Sequence, residues 1–298
     1  MKAKIFTAFV ALFTIFTIQG CANLDYINTF SVTASKTVES YNDIGYTNTS
    51  SYYDYTAYSK IYDFDKKELD SNNVHLPKPL IPPGEPSRAM DADKAINLFV
   101  TGISSYFEAL GKLSDKNLIN YNFDEVADSL KANTTVKSAL KISDNQITAV
   151  SVLSKVLTNE IMGAYRIHNI KRVMIEYDGQ LATSIDGLTT ALTYMVSRID
   201  ADRSKTQLKY RQVLANPRLE LAGKPPLMNQ YIAEVSKLDK LKLQFQLLIK
   251  ALEKVKEDHH KAVKDLQDPS IDGKKVISNI EKYAGEIYQV YSNVKALK

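Results

Sequence analysis

Tryptophan is absent from this 298-residue chain, and cysteine occurs once, at Cys21. A lone thiol can close no intramolecular disulfide and build no cysteine-based zinc site. An excess of one charge is missing too: 38 Lys and Arg stand against 34 Asp and Glu, a formal +4. That balance argues against nucleic acid as an obligate partner. No stretch sustains the period-2 alternation of a half-buried strand, so a sheet is not expected. Neither a G-x-G-x-x-G fingerprint nor a P-loop occurs. What is present looks globular: 44% hydrophobic and 24% charged residues, in a chain long enough to bury a substantial core.

The first 21 residues are the most informative. Met1-Lys2-Ala3-Lys4 carries two cations, and Ile5 to Ile18 is an apolar run broken only by Thr7, Thr14 and Thr17. Fourteen residues are short for a permanent span, which needs about 20. A charged start, a short apolar middle and a small residue before a cut form the secretory pattern. The run closes on Ile18-Gln19-Gly20-Cys21. This ending resembles the lipobox of bacterial lipoproteins, with Ile18, Gly20 and Cys21 matching and Gln19 departing at a permissive position. The resemblance covers residues 1–21. It implies a diacylglyceryl group on the Cys21 thiol, cleavage between Gly20 and Cys21, and acylation of the new amine. Each buried methylene of such chains adds about 0.8 kcal/mol to membrane binding. In the sorting pattern of that family, an Asp beside the cysteine keeps the protein at the inner membrane. Ala22 and Asn23 stand there instead, which implies an outer-membrane anchor in a cell that has one; the periplasmic face is the expectation, with surface display as the variant the sequence does not separate.

Charge is unevenly spread beyond the anchor. Residues 22–100 carry seven cations and eleven carboxylates, whereas residues 237–298 carry thirteen and nine. Solvated helix faces explain this adequately. Seven of the eighteen tyrosines fall at Tyr41, Tyr46, Tyr52, Tyr53, Tyr55, Tyr58 and Tyr62. They read first as rings packed on a bundle with hydroxyls outward, and second as a recognition surface. Five of the nine prolines lie at Pro77, Pro79, Pro82, Pro83 and Pro86. Proline fixes φ and disfavours helix before it, so this is an extended connector. The organisation expected is a signal peptide over 1–20 and a lipid-anchored, Tyr-rich helical segment over 21–75. A proline-rich connector over 76–90 and a bundle domain over 91–298 follow.

Helical spacing runs through the rest. Asn23 to about Ile44 reads as a modest helix. Asp91 can cap a helix carrying Ile96, Phe99, Val100, Ile103 and Phe107 to about Gly111. Asn122 with Glu125, and Ser143 with Gln146, have capping-box spacing. The first of these predicts a helix ending near Lys141. The second opens one through Ile147, Val150, Leu153, Leu157, Ile161 and Ala164. Asp178-Gly179 predicts a kink or a fresh start before Leu181, Ile185, Leu188, Leu192, Met195 and Ile199. Pro225 and Pro226 suit the first positions of a helix over 226–266. There Phe245, Leu248, Leu252, Val255, His259, Ala262 and Leu266 form a coiled-coil-like seam. Val276, Ile280, Tyr283, Ile287 and Val290 give the last helix. Short connectors between long helices imply antiparallel neighbours. The fold class predicted is all-α: an elongated antiparallel bundle with coiled-coil-like long helices.

Few residues suggest chemistry. Ser138 to Lys141 matches S-x-x-K and Ser143-Asp144-Asn145 matches S-D-N. They stand nearly adjacent, without K-T-G, and Ser143 is better read as a helix cap. Asp124, Glu125 and Asp128 are explained by a helix N-terminus. His168, with Arg166, Lys171 and Arg172, makes a small basic patch, either solvated or facing phosphate or lipopolysaccharide. His259 sits on the apolar seam while His260 points outward, and neither has a histidine at the i, i+4 spacing of a metal pair. Burial favours neutral His259, read as a satisfied core histidine with a pH sensor as the alternative. On the seam alone, leucine at 259 should preserve or raise stability.

The expectation is therefore a non-enzymatic, lipid-anchored envelope scaffold or binding protein. No catalytic, cofactor or metal residue is assigned. Lipid sits on Cys21, and the partners are the membrane and an envelope protein, without nucleic acid. The alternative is an envelope hydrolase or small-ligand protein whose site is assembled from distant residues. A deep polar pocket with convergent titratable groups would favour the alternative, and an elongated bundle with an exposed apolar groove the scaffold.

Overall fold

A helix with apolar side chains three and four apart exposes one sticky stripe, which only another helix or sheet can cover. The computed structural model describes residues 24–54, 86–112, 124–159, 166–216 and 221–297, and there the stripes cover one another. Among the described residues eight helices carry labels: α1 (Asp25–Glu39), α2 (Pro86–Lys112), α3 (Asp124–Ala132), α4 (Thr134–Leu140), α5 (Asp144–Asn159), α6 (Arg166–Ala215), α7 (Lys224–Gln267) and α8 (Gly273–Lys295). A 3₁₀ turn, Ser40–Asp43, and a short helix over 48–54 follow α1. No strand occurs among the described residues. The fold is an all-α antiparallel bundle with long helices, as the spacing predicts.

The long pair α6–α7 organises the rest. Asp200 meets Lys242, Asp186 meets Lys256 and Asp178 meets His260, so the two helices run antiparallel. At 1.5 Å per residue, α6 spans about 75 Å and α7 about 66 Å. Against them pack α1 on α2, α5 on α2 and α6, and α8 on α7 and α1. Phe30, Phe99, Ile103, Phe107, Leu188, Leu192, Phe245, Leu248 and Val255 lie in one continuous core. The segment 24–46 is part of it through Ile27, Phe30, Ala34, Val38, Tyr41 and Tyr46. Gly187 lets α6 approach α2: a Cβ there would stand 2.5 Å from Cε1 of buried Phe99.

Several caps follow the sequence. Ser143 N–H donates to Gln146 Oε1 at 2.8 Å, and Gln146 N–H donates back to Ser143 Oγ at 3.3 Å, the reciprocal capping box. Asp272 accepts from Lys275 N–H at 2.9 Å and starts α8.

Three boundaries differ from expectation. First, α2 begins at Pro86, not at Asp91. Proline's fixed φ suits the first helical position, so the last proline opens the helix. Asp91 lies inside it and accepts from Asn133 Nδ2 at 3.1 Å. Second, the helix predicted to end near Lys141 is two helices. Asn133 breaks it and caps α4 by accepting from Val136 N–H at 3.1 Å. Lys141 then takes a left-handed φ of 56° and ends α4. Third, α6 passes through Asp178-Gly179 without a break. A helical glycine costs about 1 kcal/mol, which packing along α7 outweighs.

Candidate functional site

The seam histidine is not surrounded by apolar side chains alone. Fully buried Tyr106 of α2 places its hydroxyl 2.9 Å from His259 Nε2. His259 Nδ1 lies 2.8 Å from Asp178 Oδ1, and Asp178 Oδ2 lies 2.6 Å from Nδ1 of exposed His260. A carboxylate only accepts, so His259 Nδ1 carries the proton and donates to Asp178. Nε2 of the neutral ring is then an acceptor, and Tyr106 O–H donates to it. The result is a directed chain from the core to the surface: Tyr106, His259, Asp178, His260.

Electrostatics support this assignment. Burial pulls His259 below its ordinary pKa, against the pull of Asp178. Tyr106 is pushed well above its usual value, first by burial and then by the Asp178 charge. Burial works to raise Asp178, but hydrogen bonds from His259 and His260 outweigh it and hold the carboxyl below its ordinary value. Phe107 packs edge-on to His259 at 6.1 Å between centroids, and Tyr106 does so at 5.7 Å. His259 is thus a core histidine satisfied on both nitrogens. The expectation that leucine at 259 would preserve stability is corrected, because leucine would strand the Tyr106 hydroxyl and take one donor from Asp178. A tyrosine–histidine–aspartate set resembles a nucleophile triad on paper. Here the hydroxyl is sealed among Phe30, Phe107 and His259, with no surface on which a substrate could meet it.

A second polar cluster lies further along the same face of α6. Asp202 Oδ2 accepts from Tyr46 O–H and Ser51 O–H, both at 2.7 Å, and Oδ1 accepts from Lys205 at 3.0 Å. Buried Arg198 donates from Nη2 to Ser51 Oγ at 2.7 Å, while its Nε and Nη1 have no partner. Asp93 of α2 caps the 48–54 helix from outside by accepting from Asn48 and Thr49 N–H at 2.8 and 2.9 Å. Tyr41, Tyr46 and Tyr52 are buried and Tyr53 is exposed, so most of the described rings pack inward. The hydroxyl of Tyr46 is not outward, because Asp202 takes it. Tyr55, Tyr58 and Tyr62 lie outside the described residues.

Beside this cluster opens a cleft of about 440 Å³ lined by Asp54, Asp202, Glu234, Lys205, Lys209 and Lys237, among others. Its charges face each other: Lys205 pairs with Asp202 at 3.0 Å and Lys209 lies 3.9 Å from Glu234. Burial lowers Lys205 against the pull of Asp202. Burial, helped by the Asp202 charge, raises Asp54.

Beyond the cleft, α6 and α7 leave the bundle together as a two-helix arm. No residue from 224 to 233 is buried, a length of about 15 Å; from Glu234 the helix lines the cleft, and Leu238 packs against the core. Buried Tyr210 meets Tyr231 across the pair with rings tilted at 53° and centroids 5.4 Å apart, and Tyr210 O–H donates to Glu234 at 2.7 Å. At the end of the arm stand four exposed apolar side chains: Val213, Leu221, Met228 and Ile232.

The other residues singled out in the sequence are not brought together. Ser138 and Lys141 flank the end of α4, and Ser143 is the cap of α5. Exposed Asp128 pairs with half-buried Lys131. Cys21, and the side chains of Asp124, Glu125, Arg166 and His168, lie outside the described residues. Among those described, no group of three or more His, Cys, Asp or Glu is placed to hold a metal ion. No helix among them is long and apolar enough to cross a membrane.

Asp178, Tyr106 and Asp202 carry the two clusters; Tyr106 and Asp202 were not singled out in the sequence, and Asp178 was read only as a helix break. A signal for them exists. Stepping 3 and 4 along α6 from Leu181 to Ile199, the next seam positions are 178 on one side and 202 on the other. Tyr106 likewise follows Phe99 and Ile103 at steps of 4 and 3. Compared with known proteins, the chain matches no family model, no curated protein and no solved structure.

Proposed function

We propose that this chain is a lipid-anchored protein of the bacterial cell envelope, held through Cys21 in the outer membrane with its bundle in the periplasm. It acts without catalysis, as a helical scaffold that presents a binding arm. The single observation that carries the binding role is the α6–α7 arm, which leaves the bundle and ends in exposed apolar side chains. Leu221 is 85% exposed, the highest of any large apolar side chain among the described residues, and Ile232 is 54% exposed. The lipid anchor rests on the lipobox resemblance of residues 18–21. The non-catalytic reading is supported by the sealed Tyr106 hydroxyl and by the internally paired charges of the cleft.

The cleft favours a second reading, a protein that also takes a small zwitterionic ligand between Lys237 and Asp54. Its mixed lining suits such a molecule better than a net anion or cation.

The anchor is tested by growing cells with a clickable palmitate analogue. Wild type should take the label and partition into the detergent phase, and Cys21→Ala should lose the label. Label surviving Cys21→Ala overturns the anchor and returns residues 5–18 to a plain signal or membrane anchor.

A further inference from the structure

The direction of the arm follows from ring contacts. Near the start of α1, Phe30 lies 6.3 Å from His259 of α7. Beyond its end, Tyr41 and Tyr46 lie 6.3 and 6.2 Å from Phe245. Going up α1 is therefore going down the numbering of α7, towards the arm. Leu24 sits at the opposite end of the bundle from the tip. From His259 to Lys224 the helix rises about 50 Å. Cys21 is three residues before Leu24, so a lipid on it keeps that end within about 11 Å of the anchoring bilayer. With the rod upright on its anchor, the tip points away from that bilayer.

The tip also has an excess of one charge: from residue 203 to residue 233 the sequence holds six cations and one carboxylate, Glu220. Between Asp202 and Glu234 the described residues carry Arg203, Lys205, Lys209, Arg211 and Lys224, and no carboxylate. Asp239 takes Arg203 at 2.8 Å and Asp202 takes Lys205, both towards the root of the arm. Arg211 and Lys224, next to the apolar tip, have no carboxylate partner among the described residues. Leu221 is 85% exposed, Ile232 54%, Met228 43% and Val213 41%. Exposed apolar side chains in a segment with Arg211 and Lys224 and a large excess of cations are the chemistry of a surface that enters the headgroup layer of an anionic bilayer. A protein partner with an acidic groove would fit the cations. It would not call for apolar groups at the very end of a rod rather than along its face.

We infer that the tip of the arm docks on a second, anionic bilayer facing the one that holds Cys21, so that the chain bridges two membranes. This rests on the lipid-anchor reading for the first membrane, and on the arm alone for the second.

The test reconstitutes the full chain through its own N-terminal anchor into neutral phosphatidylcholine vesicles. Dye-filled acceptor vesicles are then added, either of phosphatidylcholine or of phosphatidylcholine with phosphatidylglycerol, and capture is read by flotation. Anionic acceptors should be captured and neutral ones should not. Capture should weaken as added salt shortens the screening length. Arg211→Gln with Lys224→Gln should weaken capture about 25-fold, taking about fivefold for each cation. Leu221→Ser with Ile232→Ser should weaken it independently. All four side chains are free of the core, so circular dichroism of both variants should match wild type. Should either pair fail to fold, Arg211→Gln and Leu221→Ser are read singly. Equal capture of neutral and anionic acceptors, or capture untouched by both pairs, overturns the proposal. Capture that appears only when envelope proteins are added overturns it in favour of a protein partner. The intact mass of the reconstituted chain separates the two readings. An unacylated chain that still captures anionic acceptors keeps the arm and removes the anchor. An acylated chain that captures none keeps the anchor and removes the arm.

Discussion

Replacing His259 with leucine sets two physical arguments against each other, and the structure decides between them. Leucine avoids the desolvation of a ring with two polar atoms. Because the histidine ring is itself largely apolar, that gain is only about 1 kcal/mol. Against it stands Tyr106, whose hydroxyl lies 2.9 Å from His259 Nε2 in a site without solvent. A buried hydroxyl left without an acceptor costs about 1–3 kcal/mol. Asp178 also loses the donor at 2.8 Å, a smaller cost because His260 remains at 2.6 Å and the carboxylate is 18% exposed. Leucine further breaks the edge-on packing of the ring with Phe107 and Tyr106. The net expectation is a loss of about 1–3 kcal/mol, with Tm lower by about 2–4 °C for each kcal/mol in a chain of this size. Thermal unfolding followed by circular dichroism at neutral pH reads this directly. The double variant Tyr106→Phe with His259→Leu supplies the internal control. With both polar partners gone, it should cost less than the sum of the two single changes. A His259→Leu protein as stable as wild type, with additive single changes, would refute the chain from Tyr106 to Asp178.

Acid should destabilise the protein through the same chain. Burial keeps His259 below its ordinary pKa, so under about pH 6.5 the unfolded state binds the proton that the folded state refuses. Stability is present above that value and falls as pH drops through it. Asp178, also held low, continues the fall below about pH 4, and urea midpoints against pH should lose the upper part of this slope in His259→Leu. Gly187→Ala should cost about 1–3 kcal/mol by overpacking, since the new methyl would meet the Phe99 ring at 2.5 and 2.7 Å and that ring is fully buried; an unchanged Tm would show that α2 and α6 can separate freely there. Asp202→Ala removes the acceptor shared by Tyr46, Ser51 and Lys205 and should cost about 3–5 kcal/mol, whereas Asp202→Asn should recover part of this; hydrogen exchange should show lost protection over residues 46–54 first.

How far the sequence reaches can be judged along α6 and α7. Apolar spacing of 3 and 4 defines both helices and their antiparallel pairing, because that periodicity is local to each segment. The boundaries at Pro86 and Asn133 were less legible. Two neighbouring signals competed in each place, proline against Asp91 and one continuous stripe against an internal cap. The polar clusters were legible only as interruptions. Asp178 looked like a break because an acid beside glycine usually is one. What turns it into a core residue is supplied by His259 and Tyr106, 81 and 72 positions away, and no local pattern carries that pairing. The arm was hidden for the opposite reason. Its residues share the spacing of the bundle, and nothing in that spacing shows that residues 224–233 carry no buried side chain.

The two interruptions have a further consequence for the fold. A seam of leucine, isoleucine and alanine can slide by a heptad and still bury apolar surface. Polar side chains at seam positions forbid the slide when each has one partner in reach. Asp178 and Asp202 stand at the two ends of the apolar stretch of α6, 24 residues and about 36 Å apart. The first is locked to α7 and, through His259, to α2. The second is locked to the segment after α1 through Tyr46 and Ser51. A one-heptad slide of α6 would strand both carboxylates and the Tyr46 hydroxyl in apolar surroundings. The clusters therefore do for the bundle what a single buried asparagine does for a coiled coil. They hold α6 at one register against helices that come before and after it in the chain, and so set how far the arm extends.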